Sequence, residues 1–343
     1  MNRKKIFFPL IPAALSGVAL LFVLPAQAAQ VTLTALRWNG QSAYRFSDGV
    51  TEAIIVPAWG RVMRYGYVGG ANRLWNASAQ QLPAKGYQNR GGAKTWPAPQ
   101  SDWPLFAGDL YPPHPTWDGL PMRSQITTAG ASAAPRLRLT SGVWKGFGAR
   151  LTLDFGWSGQ GELEITETLE KVEGEPRRMS LWSVAQVPYP DAVFLPKSAS
   201  SAYKNGFYWF FGGPLPEYAG AAANLSPTLL RVRPVSGKSY KVGVDAPFSS
   251  IASVKDGVAF TLRSPKSNGL YPDGADGAGF PVECYNQEGV ETYNELELLS
   301  PLYMMRRGDR RAHTTRWNLH TLTSRDIESP EMQQEILALL ETP

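Results

Sequence analysis

Residues 148–157 read GARLTLDFGW, which puts Leu151, Leu153 and Phe155 on one side of an extended backbone and Arg150, Thr152 and Asp154 on the other. That period of two belongs to strands, whose successive side chains point to opposite faces; a helix would return its apolar residues every three to four positions. Residues 161–171 repeat the pattern with Leu163, Ile165 and Leu169. Residues 250–263 read as two strands joined at Asp256-Gly257, a dipeptide that accepts the positive φ angles of a tight hairpin turn. Further strands are predicted at 31–38, 52–56, 61–68, 179–187, 207–211, 228–233, 240–244, 292–299 and 313–323. So many half-buried strands must cover one another's apolar faces, so the expected fold is an all-β sandwich of sheets.

Only the end of the chain reads as helix, with Ser329 as cap, Pro330 at the first helical position, and Met332, Ile336 and Leu340 at four-residue spacing. It is expected to lie on the outside of the sandwich. Residues 76–122 carry little pattern and read as a long binding loop or lid. Within them, residues 91–104 (GGAKTWPAPQSDWP) hold two indoles on a frame stiffened by prolines, with almost no charge.

The first 28 residues have the layout of a targeting segment: Arg3, Lys4 and Lys5, an apolar run to Leu24, and Ala26-Gln27-Ala28 as a small-residue cleavage site. Cleavage before Ala29 and export to the periplasm are expected; an uncleaved anchor is the alternative, against which stand Pro9, Pro12 and Pro25 within the run. No later apolar stretch is long enough to span a bilayer. With the three leader cations set aside, Lys and Arg outnumber Asp and Glu by two, which argues against a nucleic-acid surface. Gly237-Lys238-Ser239 is no phosphate loop, because Val232 stands where the required glycine would be. The single cysteine, Cys284, forms no internal disulfide, so the core must stabilise the fold. No repeat or low-complexity linker divides residues 29–343, which are read as a single domain.

Four segments, in order, resemble the galactose mutarotase-like superfamily. Residues 56–75 (VPAWGRVMRYGYVGGANRLW) are similar to its early strand pair, and 91–97 (GGAKTWP) to a segment that lines the sugar site. Residues 180–190 (SLWSVAQVPYP) resemble the strand that carries the acid histidine, and 295–322 the terminal block with a carboxylate-bearing strand. The resemblance implies a β-supersandwich with a carbohydrate cleft on one concave sheet face.

A mutarotase needs a base carboxylate and an acid on opposite sides of a pyranose. In YNELELLSP, Tyr293, Glu295 and Glu297 share a face, so with the resemblance Glu297 is the first candidate for base or ligand acceptor and Glu295 the second. Without it, the same face would read as the solvent side of an edge strand. Where the family's histidine is expected, this chain has Trp182, Ser183 and Gln186, none of them a proton donor at neutral pH. His114, in the long loop, is the candidate substitute; His313 and His320 lie at odd separation on one strand and face opposite sides.

Trp96 and Trp103, with Trp117 beyond, are candidate platforms for the apolar face of a sugar, or else plugs in the open end of the sandwich. Trp182 and Gln186, with Arg61, Arg90 and Gln100, complete the candidate ligand set, and Asn89, Lys94 and Asp102 are further polar partners. Gly91 and Gly92 fit close backbone approach. Asp273 and Asp276 give too few carboxylate oxygens for calcium and read as a glycine-rich turn. The sequence calls for no metal and no cofactor. Its expected role is carbohydrate binding; the alternatives are an aldose 1-epimerase-type isomerase and an envelope scaffold without a small ligand.

Overall fold

The computed structural model describes Met1 and residues 31–127, 134–158, 161–203, 205–210, 223–274, 279–289 and 292–341. Residues 2–28 of the predicted leader, and Asp276, lie outside the described residues.

Two antiparallel sheets pack face to face. The first runs Thr32–Trp38, Gln41–Ser47, Thr51–Val56, Arg61–Tyr67, Ala93–Ala98, Arg177–Pro188, Tyr293–Leu299, Val282–Asn286, Tyr240–Val244 and Tyr208–Trp209, with Tyr303–Met305 paired to one end of Arg177–Pro188. The second is centred on Val258–Ser264, Arg310–Thr321 and Leu163–Lys171, flanked by Ala149–Trp157 on one side and Ser249–Lys255 on the other.

The alternation seen in the sequence is the division between core and solvent. Leu163, Ile165 and Leu169 are buried between the sheets, whereas Glu164 and Glu170 point outward and meet Arg316 and Arg310 on the neighbouring strand. Tyr65 of the first sheet packs against Phe260 and Trp317 of the second at 5.2 and 5.4 Å and donates its hydroxyl to the Trp317 carbonyl at 2.9 Å. The predicted hairpin turns at Asp256 and Gly257, with φ of 54° and 71°. The closing helix Pro330–Glu341 has its Ser329 hydroxyl accepting the Met332 N–H at 3.2 Å, and it buries Met332, Ile336 and Leu340 against Phe194, Ala252 and Val254.

The structure corrects the reading of residues 91–104. Ala93–Ala98 is an interior strand, buried at every position, between Arg61–Tyr67 and Arg177–Pro188. A strand covered on both faces shows no alternation, so its pattern looked like loop. Gly91 and Gly92 have φ of 84° and 72°, and a Cβ on them would stand 2.2 Å from the Trp75 carbonyl oxygen and 2.4 Å from that of Val62. Their close approach is therefore to neighbouring backbone. Tyr293–Leu299 is likewise interior, with all seven residues buried, so its carboxylates do not form the solvent face of an edge strand.

Candidate functional site

Residues directly paired across an antiparallel ladder share a face, so register alone assembles the site. Glu295 lies opposite Gln186 on one side and Tyr285 on the other; Glu297 lies opposite Val184 and Glu283. Trp96 pairs with Trp182, Lys94 with Val184, and Lys241 with Tyr285. This face, turned away from the second sheet, floors a cavity of ≈ 700 Å³ lined by Trp96, Trp182, Gln186, Lys241, Glu295 and Glu297. Tyr87, Gln100, Tyr111 and Pro112 wall it, so the 76–122 segment supplies a strand to the floor and a rim above it. Gln100 is held there by donating to the Leu110 carbonyl at 2.8 Å.

The two candidate carboxylates differ in environment. Glu297 has no exposed surface; its Oε2 accepts from Trp182 Nε1 at 2.7 Å and from Lys241 Nζ at 3.0 Å, and its Oε1 has no donor partner among the described residues. The same ammonium stands 2.6 Å from the equally buried Glu283. Burial raises the pKa of both carboxyls, more than Lys241 lowers it; Asp273 and Glu297 push Glu283 further up, and Glu295 does the same to Glu297, whose contact with Glu283 works the other way. Burial works against the Lys241 ammonium, but Glu283 and Glu297 more than offset it and raise its pKa. Glu295, by contrast, keeps 7% of its surface exposed, while its Oε1 accepts from Gln186 Nε2 at 2.9 Å and from Lys94 Nζ at 3.4 Å. Burial holds the Lys94 pKa down to about 8 despite Glu295, and the ammonium rests 4.2 Å over the Trp96 ring. Glu295 is thus the more accessible carboxylate, and Glu297, two residues along on the same face, anchors Lys241 and Trp182.

The remaining candidates divide. Trp96 and Trp182 border the cavity edge-on to each other at 5.3 Å. Trp103 does not reach it: the indole is fully buried beneath both, donating to the Pro97 carbonyl at 2.9 Å, and is a plug instead of a platform. Trp117 is buried beside it. Arg61 is buried and pairs with Asp118 at 2.5 Å, and Asp118 also accepts from Tyr87 at 2.8 Å and Trp96 Nε1 at 2.9 Å. Burial favours the neutral acid, but Arg61 and Lys94 outweigh it and lower the Asp118 pKa. This network holds Trp96 in place.

Arg61, Arg90 and His114 line a neighbouring cavity of ≈ 560 Å³ and not the one over Glu295. His114 bonds through Nδ1 with the Thr116 hydroxyl at 2.9 Å, and burial lowers its pKa; the structure does not bring it together with the carboxylates. His313 is buried, with its pKa pushed down to about 4 by desolvation, and His320 is half-buried. Asp273 is the described half of the glycine-rich turn, at φ 67°. Burial raises its pKa, and Lys241 opposes that shift. Among the described residues no group of three His, Cys, Asp or Glu side chains could hold a metal ion.

Sequence reasoning missed Lys241, Glu283, Tyr285, Tyr87 and Asp118. A signal existed for the first three: Lys241 is the out-of-phase charge in YKVGV, and Glu283 and Tyr285 flank the inward Cys284 in VECYN. That these strands adjoin Tyr293–Leu299 was not readable locally.

The architecture is that of galactose mutarotase-like proteins. The chain resembles a galactose mutarotase-like protein from Clostridium acetobutylicum with a TM-score of 0.55 at 11% identity, over 85% of this chain and 99% of that one. It resembles a galactose mutarotase-like protein from Lactobacillus casei with a TM-score of 0.53 at 11% identity, over 84% and 100%. A TPR-domain containing protein from Parabacteroides distasonis matches with a TM-score of 0.55 at 13% identity over 88% of this chain, which spans only 55% of that longer protein. No family model and no curated protein matches the sequence. At such identities the likeness defines the fold, the predicted β-sandwich, and leaves the chemistry to be argued from the site. Among the described residues no helix is long and apolar enough to cross a membrane.

Proposed function

We propose that this protein binds a carbohydrate in the cavity over Glu295 and does so without turnover. The observation that carries the reading is Glu295 itself, a carboxylate with an open edge on the cavity floor, aligned by Gln186 and flanked by the indoles of Trp96 and Trp182. A pyranose presents hydroxyls at its rim and C–H groups on its faces, and this mixture of carboxylate, amide, phenol and indole suits both. The ≈ 700 Å³ volume is in the range of small-ligand sites. Because the cavity is open and not filled by Trp103 or Trp117, the geometry favours a ligand over a scaffold role. Absence of turnover is supported by the lining, which holds no histidine, and by the locking of Glu297 under Lys241 and Trp182.

Titration with mono- and oligosaccharides is expected to shift tryptophan fluorescence, and Glu295→Ala to weaken binding about tenfold or more, the worth of a charge-assisted hydrogen bond. No response to any sugar at millimolar concentration would remove the proposal. One observation favours a second reading, an aldose 1-epimerase-type isomerase: the exposed edge of Glu295 could take a proton where buried Glu297 could not. Polarimetry on the same samples separates the two. An isomerase accelerates anomer interconversion, and Glu295→Gln then removes about a hundredfold of it; a binding protein shows no acceleration.

Export to the periplasm with removal of the leader is the companion proposal, motivated by Arg3 to Lys5, the apolar run and Ala26-Gln27-Ala28. Amino-terminal sequencing of protein from the periplasmic fraction is expected to begin at Ala29. Recovery of the chain in membranes with Met1 intact would count against it.

A further inference from the structure

We propose that the cavity over Glu295 is a groove for a neutral oligosaccharide of at least three units, with a second subsite at Tyr285, Gln287 and Ser239 beyond the one at Trp96 and Trp182. This deepens the carbohydrate reading above and rests on it. The extent of the lining carries the inference. Trp96, Trp182, Glu295, Tyr285 and Ser239 sit on, or one residue before, five strands that are neighbours in the sheet: Ala93–Ala98, Arg177–Pro188, Tyr293–Leu299, Val282–Asn286 and Tyr240–Val244. Neighbouring strands lie about 4.8 Å apart, so the four steps between them make a floor roughly 19 Å across. A pyranose ring is comparable in width to one strand spacing, so a single ring leaves most of that floor uncovered.

The polar groups left open are spread along the same line. Both hydrogen bonds to Glu295 fall on Oε1, which leaves Oε2 without a donor among the described residues. Gln186 is buried and spends its amide nitrogen on Glu295, and its own Oε1 has no partner among those residues either. On the far side of Glu295, the Tyr285 hydroxyl donates to Gln287 Oε1 at 3.0 Å, which fixes that amide and leaves its nitrogen with no partner among the described residues. Indoles therefore stand at one end, a phenol and an amide at the other, and a carboxylate edge between them, an order that stacks and hydrogen-bonds successive rings of one chain. The ammonium groups are already committed, Lys94 to Glu295 and Lys241 to Glu283 and Glu297, so the described lining holds no unpaired cation for an acidic sugar. What stays open is acceptor, amide and aromatic ring, which the hydroxyls and C–H faces of a neutral chain satisfy.

The test uses the full chain and calorimetric titration with glucose, maltose, maltotriose, cellobiose and cellotriose. Affinity is expected to rise with length, and the preferred trisaccharide to bind about tenfold more tightly than glucose or better, the worth of a further stacking and hydrogen-bonding station. Gln287→Ala, which truncates the far amide, and Ser239→Trp, which fills the far end, should each bring that ratio to within about threefold of unity. Trp96→Ala, by contrast, should weaken glucose and trisaccharide alike. Gln287 and Ser239 are half-buried and belong to different strands, so an unchanged thermal midpoint in either variant suffices, and the wild-type series alone can overturn the proposal. If wild type binds glucose as tightly as every longer chain, or if the length preference survives both changes, the extended groove is overturned and sugar binding stands. No binding of any probe overturns both.

Discussion

Lys241→Met is expected to destabilise the protein by about 3–5 kcal/mol at neutral pH, the usual cost of leaving a buried ion pair without one partner. For a domain whose total stability is on the order of 5–15 kcal/mol, that is a large share. Here one ammonium serves two carboxyls with no exposed surface, Glu283 at 2.6 Å and Glu297 at 3.0 Å. Methionine keeps the aliphatic contact with Trp182 and Phe210, over which Lys241 now lies, so the loss reports charge more than volume. Both carboxyls have folded pKa values above the ordinary 4.5 and should rise further without Lys241. The variant should therefore lose stability as pH rises above about 4.5 and approach wild type below it. Adding Glu283→Gln and Glu297→Gln should restore much of the loss. Denaturant titrations at acid and alkaline pH test this, and equal stability of wild type and Lys241→Met at alkaline pH would sink it.

Glu167→Gln is expected to have the opposite effect. Glu167 lies between the sheets, where its two oxygens accept the hydroxyls of Thr95 at 2.8 Å and Ser183 at 2.5 Å, directly under the strands that carry Trp96 and Trp182. Burial raises its pKa to about 7, which the two hydroxyls only partly oppose. Because the folded state holds the proton more tightly than the unfolded chain, stability is full below about 4.5 and falls as pH rises to about 7. The difference between these values corresponds to about 3 kcal/mol. The amide never ionises and can still bond both hydroxyls, so Glu167→Gln should be the more stable form at pH 8 and equal to wild type at pH 4. Parallel thermal melts at the two pH values check this; a variant no more stable than wild type at pH 8 would refute it.

Legibility followed exposure. Where a strand has one face in the core and one in solvent, the sequence shows it: Leu163, Ile165 and Leu169 mark 163–171, and the hairpin at Asp256-Gly257 stands where its dipeptide and flanking alternation predict. The end helix is equally plain, because capping and four-residue spacing are local. Where a strand is covered on both faces the signal fails, as in Ala93–Ala98, which carries the same aromatic and proline residues that a loop would. Glu167 shows the limit from the other side. It occupies an inward phase of a well-marked strand, yet only the hydroxyls of Thr95 and Ser183 from the opposite sheet make a carboxyl tolerable there.

The sequence by itself determined the sandwich, most strand positions, the closing helix and the shared face of Tyr293, Glu295 and Glu297, since each follows from the geometry of a few consecutive residues. Tertiary structure decided which of those carboxylates is the more accessible. Glu295 and Glu297 are equivalent in alternation, but the pairing of Val282–Asn286 and Tyr240–Val244 alongside them brings Lys241 and Glu283 onto Glu297. It also decided that Trp103 is a plug and that His114 and Arg90 border a different cavity. Burial and electrostatic partnership depend on residues distant in sequence, and strand order is set by long-range pairing that no local window contains.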